Sequence, residues 1–67
     1  MNTGQMIKAY CKAHGIAIAR FAEECGFSHM AVYLWANGKR EPTVKSLRML
    51  EAKTGIPLVE WLGDRAA

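Results

Sequence analysis

Sixty-seven residues, 51% of them hydrophobic, supply about what one small core needs, so residues 1–67 read as a single domain. The net charge of +3 suits an anionic partner without proving one. No run of roughly 18 apolar residues exists to span a membrane, Met1-Asn2-Thr3-Gly4 leads into a polar segment unlike a secretory signal, and two cysteines without a disulfide-dense pattern fit a reducing cytoplasm.

Gly15, Gly26, Gly38, Pro42, Gly55, Pro57 and Gly63 punctuate the chain and divide it into five helical pieces. The first is predicted over about Gly4 to Ala13, with Met6, Ile7, Tyr10 and Cys11 on one face, Lys8 and Lys12 solvated, and Gly15 just past its end. The second runs from about Ala17 to Cys25, with Ile18, Phe21, Ala22 and Cys25 inward. Ala22 is small enough for a neighbouring helix to cross closely, and Gly26 permits the positive φ of a tight turn. Ser28 is placed as the N-cap of a third helix reaching about Ala36, with Asn37-Gly38 ending it. Thr43 caps a fourth helix, about Val44 to Thr54, with Val44, Leu47, Leu50 and Met49 toward the core. Ile56-Pro57 opens a short fifth helix through Leu62, whose apolar face is Ile56, Leu58, Trp61 and Leu62. No segment alternates with period two, so the fold class is all-α.

Residues 15–42 carry most of the functional information. Ile18, Ala22, Gly26, Val32 and Trp35 fix the geometry: the first two lie on one helix, Gly26 ends it, and Val32 and Trp35 stand i, i+3 on the next. Two short helices joined by a tight Gly-containing turn form a helix-turn-helix, whose second helix can lie in a DNA major groove. With Phe27, Val32 and Trp35 inward, the opposite face presents His29, Met30, Tyr33 and Leu34 as base-reading residues. His29 can donate to or accept from a base edge, Met30 and Leu34 can pack on thymine methyls, and Tyr33 can reach a base or a phosphate. Lys39 and Arg40 follow at once, with Asn37 and Gly38 offering backbone N–H groups beside them. Arg20 on the outer face of the second helix, Ser28, and Lys45 in the first turn of the fourth helix complete the phosphate-binding set.

Other chemistries find little support. Cys11-x2-His14, ten residues, then Cys25-x3-His29 loosely imitates a zinc site. But Cys25 sits at an apolar core position and His29 points outward, so both cysteines read as small buried hydrophobes and no metal is expected. Glu23 and Glu24 are adjacent and diverge, while Glu41, Glu51, Glu60 and Asp64 are scattered. No nucleophile–base pairing has a pocket, so the chain does not read as an enzyme, and no cofactor or small-molecule ligand is implied.

Residues 4–62 resemble the lambda-repressor-like helix-turn-helix proteins of Cro/C1 (XRE) type, and most of all a small phage Cro-type repressor. The resemblance rests on Gly15, Phe21-Ala22, Gly26-Phe27-Ser28, Val32, Trp35, Asn37-Gly38-Lys39, Pro42, and the tail Thr54-Gly55-Ile56-Pro57 with Leu58 and Trp61-Leu62. It implies a five-helix DNA-binding domain acting as a transcriptional regulator in a bacterial or phage-infected cell, associated with the nucleoid and usually dimeric on a palindromic operator. The family's base-reading positions fall on His29, Met30, Tyr33 and Leu34, and its phosphate-contacting positions around Ile18, Ser28, Asn37 and Lys39.

Three departures stand out. Ala17-Ile18 replaces the polar cap and Gln that commonly begin the second helix in this family, leaving only backbone N–H groups there. Cys11 and Ala36 replace a charged pair, a loss that leaves no unpaired charge. The reading helix is also less polar than usual, which admits a rival role: a protein-interaction module binding polymerase, a toxin or another regulator through Met30, Tyr33 and Leu34. Homodimerisation is placed on Leu58, Trp61 and Leu62; capping of the core by Trp61 is an equal alternative.

Overall fold

Asn2 begins the fold with a reciprocal cap. Its Oδ1 accepts from the Gln5 N–H (2.9 Å) and the Gln5 Oε1 accepts from the Asn2 N–H (3.1 Å), so both donors at the helix start are satisfied. The computed structural model describes residues 2–62 and places five helices there: α1 Thr3–His14, α2 Ile18–Cys25, α3 His29–Ala36, α4 Val44–Thr54 and α5 Leu58–Leu62. Gly63 and Asp64 lie outside the described residues. No strand occurs among those described, so the domain is all-α. The Asn2–Gln5 cap starts α1 one residue earlier than the apolar spacing predicts. The last helix starts later, at Leu58 rather than Ile56-Pro57, and the carboxylate of Glu51 accepts from the Leu58 N–H.

α3 packs on α2, and α1 lies against both. α4 contacts α2 and carries α5, which returns to α1. Ile7, Phe21, Ala22, Val32, Leu47, Leu50 and Trp61 are buried where these helices meet. Each large apolar side chain buried this way contributes about 1.5–3 kcal/mol. Trp61 is 0% exposed and supplies the largest fully buried side chain of the core. Thr3 ties the start of α1 to α5 by donating its hydroxyl to the Trp61 carbonyl at 2.9 Å.

Two expectations about α4 fail. Val44 is 55% exposed and Met49 is also exposed, whereas Leu47 and Leu50 are fully buried. At about 100° per residue, Leu47 and Leu50 centre the buried stripe. Val44, the first helical residue, falls about 90° off that stripe and Met49 further still.

Gly4 has a role that spacing alone does not reveal. A Cβ at this position would stand 2.6 Å from the Trp35 carbonyl oxygen and 2.9 Å from that of Ala36. Only hydrogen lets α1 approach the end of α3 so closely. Both obstacles are backbone, so they cannot rotate away. Gly4→Ala is therefore expected to cost about 1–3 kcal/mol and to lower the thermal midpoint by about 4–8 °C for each kcal/mol lost. A melt followed by circular dichroism checks this, and an unchanged midpoint refutes the close approach.

Cys11 and Cys25 are free thiols inside the core. Burial raises both above the ordinary value of 9.0; the nearby Glu24 carboxylate adds to the rise at Cys25, while Lys53 opposes it. A thiol whose folded-state value is raised contributes stability that is present below the unfolded value and lost as pH rises through the folded one. Urea unfolding should thus show stability falling above pH 9.0, with a shallower fall in Cys25→Ala.

Candidate nucleic-acid interface

The turn between α2 and α3 is set by one glycine. Gly26 adopts φ 81°, its N–H donates to the Glu23 carbonyl (3.2 Å), and the Phe27 N–H reaches back to the Ala22 carbonyl (2.9 Å). This pairing closes the end of α2 and reverses the chain within two residues. Phe27 then packs edge-to-face on Trp35, with centroids 4.9 Å apart at 80°. Ser28 caps α3, its Oγ accepting from the Ala31 N–H at 3.1 Å. Accepting that bond leaves the hydroxyl proton able to donate outward.

With Val32, Trp35 and Ala36 buried, α3 turns its other face to solvent. Met30 is 65% and Tyr33 59% exposed, and His29 stands beside them. His29 Nε2 lies 3.3 Å from Glu23 Oε1, across the turn from the end of α2. His29, Met30 and Tyr33, joined by Ile18 and Ala19 from the first turn of α2, line an open cleft of about 360 Å³. Leu34 is half-buried and lies outside this cleft. The chain after α3 folds back there, and the Lys39 and Arg40 N–H groups both bond to the Leu34 carbonyl (2.9 and 3.4 Å).

A family model described as helix-turn-helix matches residues 7–61, well over half of the chain. The chain belongs to the Cro/C1-type helix-turn-helix family. No curated protein and no solved structure matches it significantly. It is therefore a helix-turn-helix domain of a DNA-binding regulator family, with α2 and α3 as the two helices of the motif.

Within this helix-turn-helix domain the expected phosphate contacts divide into groups. Lys39, Arg40 and Lys45 are exposed side chains at the end of α3 and the start of α4. Arg20 is exposed on α2 but its Nε donates to Glu24 at 3.0 Å, a surface pair worth about 0–1 kcal/mol. The Asn37 and Gly38 backbone expectation is corrected. The Asn37 N–H bonds to the Tyr33 carbonyl and the Gly38 N–H to the Trp35 carbonyl, both closing the end of α3. The Asn37 side chain is used in the same way, donating to the Tyr33 carbonyl at 2.8 Å. At the start of α2, Ala17 supplies no side-chain cap, and the first N–H groups of that helix have none.

Of the two alternatives for Trp61, dimer contact or core cap, the first is corrected and the second holds: it is fully buried within its own chain. Leu58 and Leu62 beside it are half-buried. Among the described residues no three His, Cys, Asp or Glu side chains gather as metal ligands, and His14 stacks on Tyr10 at 4.1 Å. Sequence reasoning missed Ala19 as a wall of the cleft, because its partners Met30 and Tyr33 meet it only across the turn.

Ser28→Ala removes the side-chain cap at the start of α3 and should cost about 1 kcal/mol. Amide exchange checks this: the Ala31 N–H should lose protection ahead of the Val32 N–H, which bonds to the Ser28 carbonyl in either variant. Equal protection at Ala31 in both proteins contradicts the assignment.

Proposed function

We propose that this protein is a sequence-specific transcriptional regulator that reads the major groove with α3 and represses by occluding a promoter. The observation that carries the reading is the exposed His29–Met30–Tyr33 face, on a helix whose opposite side is buried against α1 and α2, inside a DNA-binding family. Lys39, Arg40 and Lys45, with Arg20 and the Ser28 hydroxyl, supply phosphate contacts that give affinity and register. The uncapped start of α2 adds backbone N–H groups toward the same phosphate wall. One such module buries only about 600–1,000 Å² on DNA. Two copies on half-sites about 34 Å apart make a sufficient contact. Leu58 and Leu62 form the homodimer contact in this proposal. Its setting is the reducing cytoplasm of a bacterial or phage-infected cell, which suits the two free thiols.

A second reading, docking of a protein partner on α3, is favoured by the apolar walls of the cleft. Salt separates the two. Phosphate contacts give a log–log slope of about −0.9 each, whereas apolar docking is nearly independent of salt.

Selection of bound sequences from random duplex DNA is the direct test; no enrichment at low salt sinks the proposal. On the selected duplex, Tyr33→Ala should relax preference at one base pair by about 1–3 kcal/mol. Lys39→Ala should weaken all sequences alike and make the salt slope shallower by about one contact. A changed base preference in Lys39→Ala contradicts its phosphate role.

A further inference from the structure

The cleft of about 360 Å³ between the first turn of α2 and the outward face of α3 is roughly ten times the ~30 Å³ that one water occupies in the liquid. It has room for one or two methyl groups together with the ring edges that bear them. Ile18, Ala19 and Met30 wall it with hydrocarbon and a thioether, and none of their side chains carries a hydrogen-bond donor. His29 and Tyr33 complete the wall, and the Nε2 of His29 already faces Glu23 at 3.3 Å. A polar base edge entering such a space would lose water and gain few partners. In the major groove only one base feature is apolar, the C5-methyl of thymine; every other edge is read through donors and acceptors. Arg20 follows Ala19 in α2, and the exposed Lys39 and Arg40 follow α3, in a chain of net charge +3. That charge complements the phosphates flanking a groove-bound base rather than an apolar protein side chain.

We propose that this cleft is a receptor for the C5-methyl group of a pyrimidine, so that the protein distinguishes methylated from unmethylated pyrimidines at the position it covers. The inference rests on the DNA-reading role of α3 and adds to it the chemical group that is read. Thymine and 5-methylcytosine present the same methyl in the groove and are its two sources.

The test uses the selected duplex with each thymine replaced in turn by deoxyuridine, which keeps every hydrogen-bonding group and removes only the methyl. Affinity should fall about fourfold for each methyl seated in the cleft, the factor that corresponds to burying one carbon. Replacing the same base pair by C·G and then by 5-methyl-C·G identifies the source. A methyl-dependent gain of similar size makes both pyrimidines ligands, and a gain confined to thymine narrows the receptor to that base. Met30 is 65% exposed, so Met30→Ala should fold normally. In it the thymine-to-uracil ratio should approach one, whatever the change in overall affinity. Failure of the unmodified duplex to compete with random DNA overturns the DNA-reading role itself. Sequence-specific binding in which no thymine-to-uracil exchange moves affinity by more than about 1.5-fold overturns the methyl receptor alone and leaves the cleft to a protein side chain.

Discussion

The second helix of the motif, α3, has only eight residues, too few to be stable by itself in water. Its existence depends on the burial of Val32, Trp35 and Ala36 against α1 and α2. Everything that positions the outward face follows from this constraint. Ala22 offers no bulk where α2 crosses, Gly26 turns the chain in two residues, and Phe27 packs on the ring of Trp35. Gly4 lets the start of α1 come against the Trp35 and Ala36 carbonyls, so α3 is held near its far end as well. A short helix fixed at both ends can present three large exposed side chains without surrendering its shape.

The same economy explains what the interface lacks. The N–H groups of Asn37, Gly38, Lys39 and Arg40 close the last turn of α3 and are not free for phosphates. Stability at this end of the helix therefore leaves only side chains, Lys39 and Arg40 among them, exposed for contact there. At the other end of the motif the balance reverses. Ala17 gives α2 no side-chain cap, so the first N–H groups of that helix have no side-chain acceptor. The apolar cleft lies between the start of α2 and the outward face of α3.

Much of the fold was legible in the residues because it rests on local rules. The caps Ser28 and Thr43, the turn at Gly26 and the i, i+3 pairs on α3 each act within a few positions, and the helices form there. Asn2 and Gln5 obey the same local rule and could have been read as a capping box, which would have placed the start of α1 correctly. Val44 shows where periodicity fails: at the first position of a helix the apolar spacing continues but the core beneath it does not. The candidate site was legible to the level of a face. His29, Met30 and Tyr33 follow from the burial of their neighbours on α3, whereas Leu34 is half-buried.

Sequence by itself determined the helical class, the helix-turn-helix spacing and which side of α3 faces outward, since each depends on periodicity and turn chemistry over ten residues or fewer. Tertiary structure alone decided what lies across the turn or at opposite ends of the chain. It seated Trp61 in the core rather than at a partner's surface, joined Thr3 to its carbonyl, made Gly4 a contact point for α3, and brought Ile18 and Ala19 beside Met30 and Tyr33. These pairings join residues about ten to nearly sixty positions apart. Close packing of whole helices sets them, and no local pattern of residues encodes that geometry.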